Sequence, residues 1–251
     1  MKFAGQRVLI TGGAGGLGSS IALMLARRGL TVLITDYDAV NLARISALLR
    51  TEDCTYATVE CDITNYKMVK NMVETLQDNY GPVDYLVNCT GVLSQGAFLD
   101  KAPTEWQKVF EINVLGLFNS CHVVLPEMVK QSFGKIVNIS SVSASRGGGA
   151  AGNVVYAASK SAVETFSKGL AREFGPLGIC VNTVAPGIIR TPMVRHWLES
   201  QDQLTIQRKF PRGRIAEPED VSYTVAFLLS MEADYLTGVT IPVDGGFLIS
   251  E

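Results

Sequence analysis

A tyrosine and a lysine stand four residues apart, Tyr156 and Lys160, in a stretch whose pattern predicts a helix over 154–172. Residues with this spacing lie one turn apart on the same helical face, so the phenol and the ammonium can share one chemical task. Because a nearby cation stabilises a phenolate, we expect the pKa of Tyr156 to fall below its usual value of about 10. Such a phenol can exchange a proton with a carbinol or carbonyl oxygen. The spacing alone also fits a half-exposed tyrosine beside a solvated lysine.

A glycine-rich loop follows the first predicted strand. Residues 7–11 form a short apolar run typical of a strand buried on both faces, residues 11–18 read TGGAGGLG, and residues 19–28 have helical periodicity. Strand, glycine loop and helix together form the setting of a dinucleotide-binding fingerprint. Glycines let the backbone approach a pyrophosphate, and the helix N-terminus offers that anion free N–H groups. The alternative is a flexible linker, which the directly flanking strand and helix disfavour.

An acidic residue ends the second predicted strand, 31–35. Asp36 lies 18 positions past Gly18, close to the spacing of about 20 for a ribose-binding carboxylate. A carboxylate there accepts a hydrogen bond from the adenosine 2′-hydroxyl and repels a 2′-phosphate. No Arg or Lys lies in the glycine loop or directly after Asp36 to pair with such a phosphate. The sequence therefore favours NAD over NADP, with a turn-capping aspartate as the alternative.

The alternation of strands and helices continues to the end of the chain. Further strands are predicted at 56–60, 83–87, 135–139, 179–184 and 239–243, and further helices at 41–50, 65–77, 104–130 and 217–231. The pattern predicts an α/β protein, a single domain over 1–251 with a doubly wound parallel sheet (Rossmann fold), about seven strands and helices on both faces. A capping box is expected at 104–107. Segment 188–213 is long and apolar in patches, which predicts a lid over a ligand crevice.

Composition argues against several other classes of protein. The net charge of −2 gives no basic field for nucleic acid or anionic lipid. No apolar run reaches the length of about 18 residues that a membrane span needs, and the N-terminus lacks a signal-peptide core. Five cysteines without a Cys-x-x-Cys pair, and two histidines, predict buried thiols in a reducing compartment and no metal site. We expect a cytoplasmic protein that acts on a small molecule.

Several polar residues follow predicted strands. Ser141 and Asn88 each come at or just after a strand end, and Tyr156 begins the helix after the Ser141 strand. Ligands bind outside the carboxyl ends of parallel strands, so these groups are expected along one edge. Ser141 would hold a substrate oxygen, Tyr156 would exchange a proton with that oxygen, and Lys160 would lower the pKa of Tyr156. Alternatives are a turn role for Ser141 and a locally satisfied amide for Asn113.

The motifs, taken together and in order, resemble those of the classical short-chain dehydrogenase/reductase family over nearly the whole chain. The matching positions are Thr11-Gly-x-x-x-Gly16-x-Gly18, Asn88-x-x-Gly91, Asn113, Ser141, Tyr156-x-x-x-Lys160 and Pro186-Gly187. The resemblance implies a Rossmann fold, hydride transfer with a nicotinamide cofactor, and a homotetramer or homodimer.

The resemblance also implies residue roles. Asn113, Ser141, Tyr156 and Lys160 would be catalytic, with Asn113 bending its helix and holding a water that leads to Lys160. Asn88 would brace the cofactor strand. The cofactor contacts that it implies are Thr11, Gly12, Gly16, Leu17, Gly18, Asp36, Asp62, Ile63, Asn88, Gly91, Tyr156, Lys160, Pro186, Gly187, Ile189 and Thr191.

Two positions depart from the family pattern. Cys89 and Thr90 stand where the family usually has Asn and Ala, and both are small enough to keep the turn. Ser141 precedes Tyr156 by 15 residues rather than the usual 13, which we interpret as two residues inserted in the loop. Ser143 has the usual spacing but would lie beyond the strand, so Ser141 is the preferred serine.

The expected activity is NAD-dependent oxidation of a secondary alcohol, of polyol, sugar or hydroxy-acid type, or the reverse reduction of a ketone. The framework also resembles 3-oxoacyl-thioester (acyl-carrier-protein) reductases, a subgroup that usually prefers NADPH, which Asp36 disfavours. A non-catalytic dinucleotide-binding sensor or scaffold is a third alternative, and the intact Asn-Ser-Tyr-Lys set argues against it.

Overall fold

Seven parallel strands form one central sheet in the computed structural model, which describes residues 1–149 and 151–249. The strands are β1 (Arg7–Thr11), β2 (Thr31–Asp36), β3 (Tyr56–Glu60), β4 (Tyr85–Asn88), β5 (Gly134–Ile139), β6 (Ile179–Pro186) and β7 (Thr240–Val243). Their order is β3-β2-β1-β4-β5-β6-β7. The predicted doubly wound sheet is confirmed. The domain prediction over 1–251 includes residues 150, 250 and 251, which lie outside the described residues.

Helices connect the strands. They are α1 (Gly16–Ala26), α2 (Ala39–Leu49), α3 (Tyr66–Tyr80), α4 (Pro103–Phe110), α5 (Gly116–Gln131), α6 (Ser143–Arg146), α7 (Val154–Phe174), α8 (Arg195–Glu199), α9 (Gln203–Arg208) and α10 (Pro218–Leu229). A π-helical turn, Glu111–Leu115, joins α4 to α5 without a break. Single 3-10 turns occur at Phe98–Asp100, Gly175–Leu177, Pro192–Val194, Met231–Ala233 and Phe247–Ile249.

The sheet is buried on both faces because successive strand residues point to opposite sides. On β1, Ile10 packs with one layer, formed by α1, α2 and α10. Its neighbour Leu9 packs with the other layer, formed by α3, α5 and α7. The same alternation occurs on β2 between Ile34 and Leu33. This two-sided burial explains why the strands read as continuous apolar runs in the sequence.

The chain reverses its direction of winding between β1 and β4. After β3 it returns to the middle of the sheet, where Thr11 of β1 lies beside Asn88 of β4 in parallel register. The segments after these two strands then lead away in opposite directions and leave a crevice at their carboxyl ends. The predicted functional groups therefore meet at this point of the sheet.

The helix that runs from α4 through α5 differs in two respects from the prediction. It begins at Pro103 with Ala102 as an N-cap that makes no side-chain bond, so the expected capping box at 104–107 is wrong. Pro103–Gln131 is also the one helix among the described residues that is long and apolar enough to cross a membrane. A core helix passes the same test, and half of this one's most apolar window is buried inside the fold.

The segment predicted as a lid, 188–213, contains α8, α9 and the Pro192–Val194 turn. Its side chains Leu198, Ile206 and Phe210 are buried in a small separate cluster with Val142 and Phe247. This cluster connects the segment to the residues after β5 and to the end of the described chain. Its movement over the crevice stays a prediction.

The outer edge of the sheet at β7 carries Pro242, which is exposed. Val239 and Val243 direct their carbonyl oxygens toward β6, where they accept from Thr183 N and Gly187 N at 2.9 Å each. In a parallel ladder alternate residues face opposite neighbours. The backbone of Pro242 therefore faces away from β6.

Candidate active site

A cavity of about 370 Å³ lies at the carboxyl ends of β1, β2, β4, β5 and β6. Many of the predicted cofactor and catalytic residues lie in its wall, namely Gly12, Gly16, Leu17, Gly18, Asp36, Gly91, Ser141, Tyr156, Lys160, Pro186, Gly187, Ile189 and Thr191. Five others, Thr11, Asp62, Ile63, Asn88 and Asn113, lie outside that wall. The structure thus separates groups that face the cavity from groups that support it.

The glycine loop leaves an open cradle beside the N-terminus of α1. Gly12 has φ +64°, and a Cβ on it would lie 2.7 Å from the backbone of Thr90. A Cβ on Gly18 would lie 2.1 Å from the carbonyl oxygen of Gly12. Only glycine fits these two positions, and the bare backbone leaves room for a pyrophosphate at the helix N-terminus. These residues therefore fit a dinucleotide.

Asp36 is fixed at the end of β2 by two backbone N–H groups. Ala14 N donates to one carboxylate oxygen and Asp38 N to the other, each at 3.2 Å. The carboxylate lies in the cavity wall beyond the glycine loop, where an adenosine ribose would bind. Arg44 of α2 also lines this part of the cavity, with a guanidinium nitrogen 3.5 Å from the carbonyl oxygen of Ala14. Arg44 was not predicted from the sequence because it lies eight positions past Asp36, within α2 and not directly after the strand.

Asn88 belongs to a buried polar chain beneath the cavity. Its amide nitrogen donates to Asn138 at 2.9 Å, and its oxygen accepts from Ser120 at 2.7 Å. Thr11 donates to the same oxygen at 3.4 Å. These bonds join β1, β4, β5 and α5, so Asn88 is placed to brace the strands, as the resemblance implied, and Thr11 shares that position.

Asp62 and Ile63 do not reach the cavity. Asp62 is exposed, and one carboxylate oxygen accepts from the backbone and the hydroxyl of Thr64 at 2.9 and 2.8 Å. Ile63 packs on α5, where a Cβ on Gly116 would lie 2.6 Å from it. Asp62 bonds its neighbour Thr64 and Ile63 packs on α5, and contact of either residue with adenine stays a prediction.

Tyr156 is buried at the cavity wall, which Ser141 also lines. Burial raises the pKa of Tyr156 to about 12, although the neighbouring Ser141 hydroxyl opposes this shift. The expected lowering of this pKa is therefore wrong. Desolvation disfavours the phenolate more strongly than its neighbours favour it. The backbone N–H of Ser143 donates to Ser141 Oγ at 3.1 Å.

Lys160 is also buried, and its ammonium donates to the carbonyl oxygen of Ile139 at 2.9 Å. Its Nζ lies 5.9 Å from the centroid of the Tyr156 ring. Burial lowers the pKa of Lys160 to about 8. Gly91 leaves space for this ammonium, since a Cβ there would lie 3.2 Å from Nζ. The phenol and the ammonium therefore share one wall of the cavity without direct contact.

Asn113 lies at the centre of the π-helical turn between α4 and α5. Its side chain accepts from Val92 N at 2.8 Å and donates to Val92 O and Ser159 Oγ at 3.0 Å each. A π turn adds a residue to the helix and redirects a side chain. The helix is thus locally distorted at Asn113, as the resemblance implied, and the amide ties the loop after β4 to α7.

Asn153 and Ser94, near the cavity, were not identified from the sequence, whereas Arg146 was considered there as a pocket residue that could hold a carboxylate. Asn153 caps α7 and bonds Ser94, and its position three residues before Tyr156 is a recognisable N-cap signal. Ser94 has no comparable sequence signal. Arg146 lies in the cavity wall, over the Phe247 ring at 4.6 Å, and donates to Phe247 O at 3.3 Å.

The residues that the structure describes contain no group of three or more His, Cys, Asp or Glu side chains able to hold a metal ion. The cavity wall contains the Tyr156 phenol, the Ser141 hydroxyl, the Lys160 ammonium and the glycine cradle. Such a set can transfer a proton to or from an oxygen beside a bound redox cofactor.

Comparison with known proteins gives matches along nearly the whole chain. A family model described as enoyl-(acyl carrier protein) reductase matches residues 12–248. The chain is 36% identical over 252 residues to 3-oxoacyl-[acyl-carrier-protein] reductase FabG of Thermotoga maritima, covering 99% of this chain and 100% of that one. It is 33% identical to 2-keto-3-deoxy-L-fuconate dehydrogenase of Xanthomonas campestris, covering 98% of this chain and 81% of that one.

Solved structures share the fold closely. A short-chain type dehydrogenase/reductase from Mycobacterium marinum has a TM-score of 0.92 and 30% identity, over 98% of this chain and 96% of that chain. ElxO with NADP bound has a TM-score of 0.90 and 31% identity, over the full length of both chains.

Proposed function

This chain belongs to the classical short-chain dehydrogenase/reductase family, and we propose that it interconverts a secondary alcohol and a ketone with NAD(H). The observation that carries the proposal is that Ser141 and Tyr156 lie in the wall of the same cavity as the glycine cradle. A proton-transferring pair and a cofactor site in one cavity are what hydride transfer to a carbonyl requires.

The residues around the Tyr156 phenol have different roles in the reaction. When bound, the nicotinamide supplies a hydride to the ketone carbon or accepts one from the alcohol carbon. Ser141 holds the substrate oxygen through its hydroxyl, and Tyr156 gives that oxygen a proton in reduction or takes its proton in oxidation. The positive charge of Lys160 stabilises the phenolate left by reduction. Asn113 fixes the loop between the cofactor and α7.

The preference for NAD rests on Asp36. Its carboxylate is held in the cavity wall by Ala14 N and Asp38 N, so it cannot turn away without losing both hydrogen bonds. A fixed carboxylate accepts from a ribose 2′-hydroxyl and repels a 2′-phosphate at the same place. NADP is the alternative cofactor: ElxO is described with NADP bound, and Arg44 in the same part of the cavity wall could pair with a 2′-phosphate.

We propose a polyol, sugar or hydroxy-acid derivative as the substrate class. The relative from Xanthomonas campestris is named as a dehydrogenase of a keto-deoxy sugar acid. Reduction of a 3-oxoacyl thioester is the second candidate, because the relative from Thermotoga maritima is named for that reaction. A non-catalytic sensor or scaffold is the third, and the buried Ser141–Tyr156 pair disfavours it.

A substrate panel with both cofactors tests the proposal. The purified protein is given polyols, sugar acids, hydroxy acids and a 3-oxoacyl thioester, and the absorbance of the reduced nicotinamide is followed with NAD(H) and NADP(H). We expect turnover of a member of the first three groups, with kcat/KM at least about tenfold higher for NAD(H), which corresponds to about 1.4 kcal/mol.

Each other outcome of the panel selects an alternative. Turnover of the thioester with NADPH alone would replace the first candidate by the second. Binding of NADH without turnover of any substrate, with Tyr156→Phe binding NADH equally well, would leave the sensor or scaffold.

We further propose that the protein forms a homotetramer or homodimer, on its family membership, and that it works in the cytoplasm. All five cysteines are free thiols, the form that a reducing compartment maintains. Sedimentation equilibrium tests the first statement and fractionation of source cells tests the second. A monomer, or recovery in an oxidising compartment, would contradict them.

A further inference from the structure

Asn153 fixes the first turn of the helix that carries Tyr156. Its side-chain oxygen accepts from Val155 N and Tyr156 N at 3.1 Å each, which caps α7. The amide nitrogen of the same side chain donates to Ser94 Oγ at 2.8 Å, and its backbone N–H donates to Ser94 O at 2.8 Å. An N-cap alone needs only the oxygen. The other two bonds connect the start of α7 to the loop after β4.

Ser94 extends this chain of hydrogen bonds to α4. It is buried, and its hydroxyl donates to Glu105 Oε1 at 2.6 Å. The ammonium of Lys101 lies 3.4 Å from the same carboxylate oxygen. The Ser94 hydroxyl and Lys101 also hold the pKa of Glu105 below its usual value, so this acceptor stays ionised at neutral pH. We call Asn153, Ser94 and Glu105 the capping network.

The loop after β4 is tied to α7 at a second point. Asn113 bonds Val92 on that loop and donates to Ser159, whose hydroxyl donates to Tyr156 O at 2.7 Å. The two ties lie on either side of the Tyr156 backbone. Together they fix the orientation of the phenol relative to the loop that also lines the cofactor cradle.

Three glycines precede the cap residue Asn153. Gly147, Gly148 and Gly149 have φ values of +71°, +111° and +117°, and glycine has no side chain with which to anchor a helix. Gly152 packs directly on the Tyr156 ring, since a Cβ there would lie 2.4 Å from Tyr156 Cδ1. Among the described residues of this loop, Asn153 is the one whose side chain anchors the first turn of α7 by hydrogen bonds.

We propose that Asn153, Ser94 and Glu105 are positioning residues that hold the Tyr156 phenol against Ser141 and the cofactor loop. The proposal rests on the acid–base role given to Tyr156 above. None of these three residues lies in the wall of the cavity, so the capping network acts on the orientation of the phenol. Loss of the network lowers kcat, because displacement of a reacting group by about 1 Å costs on the order of 100-fold. Affinity for the cofactor is unaffected.

Three substitutions separate positioning from helix capping. Asn153→Ser keeps an N-cap oxygen but removes the amide that bonds Ser94. Ser94→Ala removes the hydroxyl and leaves the cap intact. Glu105→Gln keeps an acceptor without the charge and serves as the conservative variant. We expect about 10- to 100-fold lower kcat for the first two, a loss of less than about fivefold for the third, and NADH affinity unchanged in all three.

The matched control is Asn65→Ser, which alters the N-cap of α3, where Asn65 accepts from Met68 N at 3.2 Å. It should change kcat less than about twofold. The double variant Asn153→Ser/Ser94→Ala should lose little more kcat than either single variant, since both break the same link. The ¹³Cζ signal of Tyr156, assigned with Tyr156→Phe, should shift in Ser94→Ala and Asn153→Ser but not in Asn65→Ser.

Unchanged kcat and an unchanged Tyr156 signal in folded Ser94→Ala and Asn153→Ser would overturn the proposal. Losses of kcat that add fully in the double variant would also overturn it. A kcat loss in Asn65→Ser as large as in Asn153→Ser would do the same, because either result would reflect general destabilisation. If the unsubstituted protein turns over no substrate, the acid–base role of Tyr156 fails, whereas the ¹³C signal still reports whether the capping network positions the phenol.

Discussion

The ammonium nitrogen of Lys160 lies 5.9 Å from the centroid of the Tyr156 ring and is directed at a backbone carbonyl oxygen. At this separation the ammonium does not offset the burial of the phenol, which remains protonated at neutral pH. A protonated phenol is the form that reduction of a ketone needs. Oxidation of an alcohol needs the phenolate, so the two directions are expected to respond differently to pH.

The oxidation rate should rise with pH, and the reduction rate should stay level through neutral pH. Burial raises the pKa of Tyr156 to about 12, and the positive charge of a bound oxidised nicotinamide should lower it. Tyr156→Phe should reduce kcat in both directions by about 100- to 10,000-fold. Initial rates between pH 6 and 10 in each direction provide the measurement. Identical pH profiles in both directions, or an active Tyr156→Phe, would contradict the assignment.

Lys160 should make the free energy of unfolding depend on pH between 8 and 10.5. Its pKa is about 8 in the folded protein, below the usual 10.5 of a lysine, so the unfolded chain binds more protons in this window and stability rises with pH. The full effect is on the order of 3 kcal/mol. Urea unfolding of the wild type and of Lys160→Met at pH 8 and pH 10 measures it.

Comparison of the two proteins is essential for this prediction, because other buried groups titrate as well. Burial raises the pKa of Cys121 to about 12, which makes stability fall with pH in both proteins. The free energy of unfolding of the wild type minus that of Lys160→Met should therefore increase from pH 8 to pH 10, and this increase is the contribution of Lys160. A constant difference would mean that Lys160 keeps its ordinary pKa.

Substitution of Asp36 should relax the preference for NAD. Asp36→Ser removes the carboxylate expected at the ribose, so KM for NADP should fall at least about tenfold while KM for NAD rises. Asp38→Asn is the matched control, since it removes a neighbouring charge and keeps an N-cap oxygen for α2. Cofactor KM values for all three proteins measure the effect. Equal shifts in both variants would indicate a general electrostatic effect instead of contact with the ribose.

A methyl group at position 152 should impair catalysis by pressing on the catalytic ring. The Cβ of Gly152→Ala would lie 2.4 Å from Tyr156 Cδ1, and overpacking of this kind costs about 1–3 kcal/mol. We expect kcat to fall about tenfold or more, with NADH affinity retained. Gly175→Ala, at the other end of α7 with nothing within 4 Å of the added Cβ, should leave kcat unchanged. Full activity of Gly152→Ala would show that the ring moves freely.

The parts of the site that follow strands were predictable from the sequence. A short apolar run marks each buried strand, and parallel strands bring their carboxyl ends to one edge, so Gly12, Asp36 and Ser141 could be assigned together. The glycine cradle, the sheet and the position of Ser141 all depend on this local pattern. The boundaries of the predicted helices agree with the structure to within a few residues, because helical periodicity is also a local pattern.

The remaining features depend on contacts between segments distant in sequence. The pKa of Tyr156 follows from its burial, which no local pattern reports. The bond from Lys160 to Ile139 and the bond from Asn153 to Ser94 each join residues more than 20 positions apart. The π turn at Asn113 interrupts a segment with continuous helical periodicity. Such features follow from tertiary packing, which overrides local preference.

Pro242 limits the pairing of the edge strand β7 with a strand from another copy of this protein. Its backbone nitrogen carries no hydrogen and faces outward from the last strand. A strand from a second molecule that approached β7 would find no donor there, so its ladder would be interrupted after one or two bonds. Growth of the sheet from chain to chain, the route by which partly folded proteins assemble into aggregates, is thereby hindered at this edge.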